Sequence, residues 1–366
     1  PYMSVKLKGK SDNESANASM SVRTGRECFR ALTTPEAVTL VSSAGKVRAS
    51  VPAGSKATAD MVQTDEAFWS VFSFRFLSGA GFTRADCDAG LPRAVLSATI
   101  ARQLFGTTDV VGHTVQLNYI DYTVAGVVAD VSMLATAAYA QIWVPYTAAD
   151  AESLSWQDDT MGPMHAVILA HSSADFDAIR KETELLRQKY NDGLRDVEIF
   201  YRGQPDTQLA YLYRRWYAEP DVPGVMLRYG IVIAILLLVP AVNLSGMTLS
   251  RMRRRMAEIG VRKAFGATGG ELIRQVFFEN FVLTLLAGVV GLALSYAATF
   301  LLNDFLFSNS TNAYLSGETA LTPGMLLSPW AFIAAFAFCL LMNVLSAGIP
   351  AWRASRMNIT DAINQR

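Results

Sequence analysis

Basic side chains are concentrated between residues 250 and 274, where the chain reads SRMRRRMAEIGVRKAFGATGGELIR. Only Glu258 and Glu271 oppose them there. The cations are Arg251, Arg253, Arg254, Arg255, Arg262, Lys263 and Arg274. The chemistry open to such a set is binding, because cations between apolar runs attract lipid phosphates and hold their loop on the cytoplasmic side of a membrane. The sequence MAEIG followed by VRKAFGA is more specific than positive charge alone requires.

Residues that could perform catalysis are scattered. His113, His165 and His171 are far apart in sequence, and no HxxxH, CxxC or GxSxG pattern occurs. The glycine-rich GATGG at 266–270 has no Lys-Ser or Lys-Thr after it and no strand before it, so it predicts a turn and not an ATP site. We therefore predict no catalytic residues, no metal site and no cofactor in this chain.

The composition divides the chain in two. Overall, 51% of residues are hydrophobic, 17% are charged and the net charge is +0, so nucleic acid is not an expected partner. Up to Arg228 the sequence is mixed and polar, and from Tyr229 it resembles a membrane protein. The opening residues form neither a signal peptide nor a natural start, and we interpret the chain as cut at its N-terminus.

Three apolar runs are long enough to cross a bilayer and contain no charged residue. They are 229–250, 280–303 and 329–350. The loop 303–328 has acids but no Lys or Arg, whereas the tail 351–366 contains three arginines. The charge bias predicts that 250–274 and the C-terminus are cytoplasmic and that 1–228 lies outside. An outside domain of this size predicts a fourth, upstream span.

Up to residue 204 the pattern predicts an α+β domain of two lobes, joined near 146–163. Thr64, Ser97 and Asp175 are placed to begin helices, and Gly106 to end the second of them. The predicted helices are 65–72, 98–105 and 175–190, and the predicted strands are 3–7, 37–41, 46–51, 93–96, 113–117, 122–128, 141–145, 165–170 and 197–201.

A pre-membrane helix is predicted over 205–228. Its aromatic residues suit either a membrane interface belt or a surface helix packed on its own domain. They are Tyr211, Tyr213, Trp216 and Tyr217. Cys28 and Cys87 could pair in an oxidising compartment, and the alternative is that both are small unpaired core residues. Cys339 is predicted to be inert packing in an apolar helix.

The second predicted span contains small residues at four-residue spacing, which let helix backbones approach closely. They are Thr284, Ala287, Gly288, Gly291 and Ser295. We favour packing within one bundle over a dedicated dimer seam. Glu279 and Asn280, at the cytoplasmic mouth of this span, are costly in lipid and are expected to bond to the neighbouring loop.

Three stretches together resemble MacB/FtsX-type (type VII) ABC transporter permeases. The loop matches the family pattern, with Met256-Ala257 as a small departure, at Glu258, Ile259, Gly260, Arg262, Lys263, Gly266, Ala267, Ile273 and Glu279. The tail AGIPAWRASRMNITDAI is similar to the family's closing motif. FLSGAGFTRAD, VLSATIARQLFG and VGHTVQLNYIDYTVAGVVADV resemble a MacB-like periplasmic core domain, although the first lacks the usual Gly-Arg. The resemblance runs from about residue 35 to the end and is looser across 146–225.

The resemblance implies an inner-membrane, multi-pass permease with a large periplasmic domain, four spans per protomer and a homo- or heterodimeric state. A partner or fused cytoplasmic ABC ATPase would bind ATP and magnesium and pass its motion to the periplasmic domain, which is called mechanotransmission. The chain itself would not be an enzyme. Other expected partners are membrane lipids and a periplasmic adaptor or outer-membrane component.

The same resemblance assigns ATPase docking to the cytoplasmic loop. The residues expected to form the docking and coupling surface are Arg254, Arg255, Glu258, Ile259, Gly260, Arg262, Lys263, Ala264, Gly266 and Ala267. Arg251–Arg255 would extend the preceding span into the cytoplasm, and anchoring to lipid phosphate applies to these arginines as well.

The expected activity is export or extraction of a substrate on the periplasmic side. The alternative is a transmembrane signal transmitter that regulates a cell-wall hydrolase or a sensor and transports nothing. A third and weaker interpretation is a tethered binding domain without an ATPase.

Overall fold

The computed structural model describes residues 3–52, 54–132, 135–214, 219–236, 238–239, 261, 265–266, 268–301, 330 and 332–342. The described residues form two compact units, one ending at Val222 and one beginning at Pro223. The first unit is α+β and the second is helical.

The first unit, the outer domain, contains twelve strands among its described residues. They are β1 (Met3–Leu7), β2 (Ala16–Ala18), β3 (Ala37–Ser42), β4 (Gly45–Ser50), β5 (Lys56–Thr64), β6 (Phe76–Gly79), β7 (Arg93–Ser97), β8 (Thr114–Leu117), β9 (Ile120–Val128), β10 (Ile142–Pro145), β11 (Met164–Leu169) and β12 (Val197–Phe200). The helices are α1 (Val22–Gly25), which continues as a π-helical turn over Arg26–Arg30, α2 (Phe68–Val71), α3 (Arg84–Asp88), α4 (Ala98–Phe105), α5 (Phe176–Gly193) and α6 (Gln208–Tyr213). Short 3-10 turns lie at Asp12–Glu14, Tyr146–Ala148 and Ser173–Asp175.

Nine strands form one sheet that closes on itself. Its order is β10-β7-β9-β8-β4-β5-β3-β11, with β6 beside β9. Because β10 also pairs with β5 in parallel, from Ile142↔Met61 to Pro145↔Thr64, six of these strands complete a ring. β3 and β11 extend from the ring as a two-stranded wing, paired antiparallel from Met164↔Ser42 to Leu169↔Ala37.

Three apolar clusters fill the domain. One lies among the six ring strands and α4, where small residues such as Ala59 and Ala94 allow close packing. A second contains Phe68 and Trp143 beside the ring. The third cluster contains residues from the N-terminal part of the domain, up to β3, and residues that follow β10. α5 contributes Ile179 and Tyr190 to it. The predicted lobe boundaries stay a prediction.

A separate small sheet joins the beginning and the end of the domain. Its order is β12-β1-β2, and β1 pairs antiparallel with β12 from Ser4↔Phe200 to Leu7↔Val197. The strand by which the chain enters the domain therefore lies directly beside the strand by which it leaves.

Most predicted elements are present within one or two residues of their predicted ends. Ser97 caps α4 by accepting from the N–H of Ile100, and Gly106 ends it at φ +78°. Asn118 and Tyr119, at φ +47° and +72°, make the tight turn of the predicted β8–β9 hairpin.

The predicted role of Thr64 is wrong. Thr64 is the last residue of β5, and its hydroxyl donates to the carbonyl of Leu40 at 2.8 Å. The helix that follows is only the single turn α2, whose cap residue is Ala67. Thr64 is extended because it pairs with Pro145 of β10, and β5 itself was not predicted.

The cysteines are unpaired. Cys28 and Cys87 are both buried and free, and they belong to different apolar clusters. The alternative in which both are small core residues is therefore the one observed, and the disulfide is not formed. Burial raises the pKa of Cys28 to about 11 and that of Cys87 to about 12. Cys339 is exposed within its apolar helix in this single chain.

The second unit contains three described apolar helices, α7 (Val222–Leu236), α8 (Gly269–Leu301) and α9 (Phe332–Met342). Among the described residues only α8 is long and apolar enough to cross a membrane, through Phe281–Ala298. The predicted spans 229–250 and 329–350 extend beyond the described parts of α7 and α9, so their full lengths stay predictions. The loop 303–328 and the tail 351–366 lie outside the described residues.

Candidate coupling turn and outer-domain anchor

The predicted docking surface lies largely outside the described residues. This applies to Arg254, Arg255, Glu258, Ile259, Gly260, Arg262, Lys263, Ala264 and Ala267. Its described part is the end of the segment, where Val261, Phe265 and Gly266 lead to Thr268. We refer to 265–268 as the coupling turn.

The coupling turn joins two helical segments through two caps. The N–H of Phe265 donates to the carbonyl of Val261 at 3.1 Å, a helical bond, and Gly266 follows at φ +93°. A glycine in this left-handed conformation ends a helix without steric cost. The glycine-rich sequence at 266–270 is therefore used as a helix terminus, in agreement with the predicted turn.

Thr268 begins α8 with a reciprocal cap. Its hydroxyl accepts from the N–H of Glu271 at 3.3 Å, and its own N–H donates to Oε2 of Glu271 at 3.0 Å. The hydrogen bonds from Thr268, backbone first and hydroxyl second, lower the pKa of Glu271. A carboxylate at this position also stabilises the positive end of the helix dipole.

α8 carries the chain away from the coupling turn without a break. It has 33 residues, which at about 1.5 Å each span about 50 Å. Glu279 is exposed on it, and Asn280 is helical, with its side chain outside the described residues. The predicted bonding of Glu279 and Asn280 to the basic loop stays a prediction.

One position of the small-residue seam contacts a neighbouring helix of the same chain. A Cβ added to Gly288 would lie 3.4 Å from the ring of Phe336 on α9. The same construction at Gly291 meets nothing within 4 Å. This contact lies between two helices of one chain, and the choice between packing within one bundle and a dimer seam stays a prediction.

The outer domain is fixed at its root by two arginines. Arg202, directly after β12, donates to the hydroxyls of Ser4 at 2.9 Å and Ser15 at 3.0 Å and lies over the ring of Phe200. These contacts bind the exit of the domain to its entry. Arg202 was not singled out from the sequence, because no local pattern indicates a partner almost 200 residues away.

The second arginine, Arg214, fastens the segment that follows. Its Nε and Nη2 donate to Asp206 Oδ2 at 2.5 Å and Oδ1 at 2.8 Å, and Nη2 also donates to the carbonyl of Arg202 at 3.2 Å. The two paired side chains are only 2% and 7% exposed. α6 lies between them in sequence. Of the four aromatic residues predicted here, Tyr211 is exposed and Tyr213 half-buried, while Trp216 and Tyr217 lie outside the described residues.

A groove of about 610 Å³ lies beside the wing strand β11. Val41, Phe72 and Val167 contribute apolar surface to its lining, to which Pro205 and Tyr211 also belong. His165 is at its polar rim, with Nε2 3.1 Å from the Ser19 hydroxyl and 3.0 Å from that of Ser43.

No group of three or more His, Cys, Asp or Glu side chains that could hold a metal occurs among the described residues.

Two family models match consecutive parts of the chain. The MacB-like periplasmic core domain matches residues 5–186, starting well before the predicted limit near residue 35, and the FtsX-like permease C-terminal domain matches residues 230–359. Together they define a membrane permease with a periplasmic domain. The chain belongs to the family of MacB/FtsX-type ABC transporter permeases.

Curated relatives agree with this assignment. The pyoverdine export ATP-binding/permease protein PvdT of Pseudomonas aeruginosa is 25% identical over 81% of this chain and 41% of its own length. The macrolide export ATP-binding/permease protein MacB of Chromobacterium violaceum is 26% identical over 83% of this chain and 43% of its own length. The uncharacterized ABC transporter permease YknZ of Bacillus subtilis is 25% identical over 82% and 68%. The chain thus spans less than half the length of the two ATP-binding/permease proteins.

Solved structures with a similar outer domain include the extracellular domain of YknZ from Gram-positive bacteria. It has a TM-score of 0.39 and 15% identity, covering 55% of this chain and all of that one. The periplasmic region of MacB from Actinobacillus actinomycetemcomitans has a TM-score of 0.39 and 18% identity, covering 54% of this chain and 87% of its own.

Proposed function

We propose that this chain is the permease subunit of an ABC transporter in which a cytoplasmic ATPase moves the outer domain. The ATPase, fused or separate, binds ATP and magnesium and docks on the segment from Arg254 to Ala267. Hydrolysis shifts that segment, and the outer domain exports or extracts a substrate on the periplasmic side. Two permease protomers and a periplasmic adaptor or outer-membrane component complete the assembly, as the family membership suggests.

The observation that carries this proposal is the coupling turn. Gly266 and Thr268 fix the geometry with which the docking segment enters α8, so a push on that segment turns or shifts a 33-residue helix instead of bending a loose loop. Capped termini resist fraying, which keeps such a joint stiff.

The root of the outer domain supports the same proposal. Because β1 pairs with β12 and Arg202 bonds to Ser4 and Ser15, a displacement of either connecting segment moves the same small sheet. The relatives named as export proteins favour transport over signalling as the use of that motion.

The test is charge reversal in the docking segment of the full-length protein. Arg262→Glu combined with Lys263→Glu is expected to abolish co-purification with the ABC ATPase or, where the ATPase is fused, to uncouple hydrolysis from the permease. Arg274→Glu is the matched control, since Arg274 is an exposed cation on α8 beyond the docking segment. Unchanged coupling in the double variant would overturn the docking assignment.

A further inference from the structure

β11 is the last strand of its sheet, and one of its two edges is only partly paired. Met164 exchanges both backbone hydrogen bonds with Met20, at 2.8 and 2.9 Å, on the edge that faces away from β3. In a strand the backbone groups of every second residue point to the same edge. Ala166 and Ile168 therefore direct their N–H and C=O groups to the edge that Met20 begins to cover.

In the described part of the chain neither Ala166 nor Ile168 has a backbone hydrogen-bond partner on that edge. Ala166 is nevertheless 8% exposed, and half-buried Ile168 lines the groove with it. Backbone groups in such surroundings are almost always paired, because an unmet donor or acceptor away from bulk water costs free energy. The unpaired backbone groups of Ala166 and Ile168 are spaced to hydrogen-bond with the backbone of another extended chain.

The groove provides room for such a backbone and its side chains. Its volume of about 610 Å³ lies within the range of ligand pockets, which is about 300–1,000 Å³. Val41, Phe72 and Val167 contribute apolar side chains to its lining, and Asp206 and Gln208 contribute polar ones. Alternate side chains of an added strand point to the same face, so every second side chain would contact the apolar lining of the groove.

We propose that the groove beside β11 binds an extended segment of a separate polypeptide, which adds a strand at Ala166 and Ile168. The segment continues the pairing that Met20 starts at Met164, and it places apolar side chains at alternate positions against Val167. This proposal concerns the outer domain alone and does not depend on where the ATPase docks.

The test uses the full-length protein in detergent and a panel of fluorescein-labelled hexapeptides in which Thr alternates with Val, Ile, Leu, Phe or Tyr. Fluorescence anisotropy is expected to show saturable binding of at least one member. The same peptide with its two groove-facing amides N-methylated is expected to bind about tenfold more weakly or worse, because two donors are lost. This comparison requires no variant of the protein.

Ile168→Pro provides the matching change in the protein. It removes an N–H that faces the groove and leaves the bonds of β11 to β3 in place, as proline is tolerated at a strand edge. We expect binding to weaken by about tenfold. Ile168→Val keeps the N–H and is expected to bind like the original chain, and equal melting temperatures confirm that both variants fold.

Three results would overturn the proposal. One is the absence of binding by every peptide up to millimolar concentration. Another is equal binding of the N-methylated peptide, which would assign the groove to apolar side chains or small molecules. The third is a change of oligomeric state in Ile168→Pro without peptide, which would assign it to a second copy of this chain.

Discussion

The guanidinium of Arg214 and the carboxylate of Asp206 form a two-pronged ion pair that is nearly sealed from solvent, with side chains 2% and 7% exposed. The pair closes a loop of chain around α6 at the exit of the outer domain. Arg214 also bonds to the carbonyl of Arg202, so the exit segment is held to the strand before it.

Removing one member of this pair is expected to destabilise the outer domain strongly. Arg214→Met leaves the Asp206 carboxylate buried without its partner, at a cost of about 3 kcal/mol. The measurement is urea unfolding of the full chain, followed by tryptophan fluorescence. Arg84→Met is the control, because the Arg84–Asp88 pair is 80% and 73% exposed and should contribute under about 0.5 kcal/mol. Equal effects of the two changes would contradict the prediction.

Glu182 is expected to make stability depend on acid pH. Partial burial would raise its pKa, but bonds from Thr34 and from the N–H and hydroxyl of Thr33 outweigh that effect and lower it to about 2. A lowered folded-state pKa means that the contribution is complete above the ordinary value of 4.5 and is lost as pH falls towards 2.

Glu182→Gln is therefore expected to lower the free energy of unfolding at neutral pH and to flatten its decline between about pH 4.5 and 2. Asp177→Asn on the same helix, with an 88% exposed carboxylate, serves as the comparison and should leave the profile nearly unchanged. An unchanged slope in Glu182→Gln would refute this account.

Alanine substitutions at two glycines are expected to distinguish the destabilisation caused by a left-handed backbone from that caused by steric crowding. A Cβ at Gly79, φ +65°, would lie 2.2 Å from the carbonyl oxygen of Ala125, whereas one at Gly112, φ +83°, meets nothing within 4 Å. Gly112→Ala should cost about 1 kcal/mol and Gly79→Ala at least about 2 kcal/mol more, measured from melting temperatures. Similar losses in both would show that β6 and β9 separate easily.

The cap at Thr268 is expected to control fraying at the start of α8. Thr268→Ala removes the acceptor for the N–H of Glu271, at about 1 kcal/mol, so local amides should exchange about fivefold faster. Hydrogen exchange of residues 269–275 in the full-length protein measures this. Thr268→Ser keeps the acceptor and should exchange like the original chain, and equally fast exchange in both variants would rule out the cap as the cause.

Local signals predicted local structure well. Ser97 and Gly106 mark the ends of α4 because cap residues act through bonds within a few positions. β5 escaped prediction because its buried Ala57 and Ala59 are small, and small residues give little alternation in hydrophobicity. Thr64 looked like a cap because its partner, the carbonyl of Leu40, is distant in sequence.

The candidate functional regions differ in how far local sequence predicts them. The turn at 266–270 was predicted because its glycines are turn residues, whereas the cap at Thr268 was not predicted. The anchor of Arg202 and Arg214 and the open edge of β11 depend on which strands meet, and that is decided by tertiary packing. The docking segment is a proposal from family resemblance, a source of information that periodicity does not contain.

The pairing of Ser4 with Phe200 makes the outer domain a cassette. Its first and last strands are neighbours, so its two ends lie close together, as in domains that tolerate exchange. A chimaera cut before Met3 and after Arg214 would keep the β1–β12 pairing and the hydrogen bonds of Arg202 and Arg214. Exchange of such a cassette would change the outer part of a permease of this family and leave its membrane part unchanged.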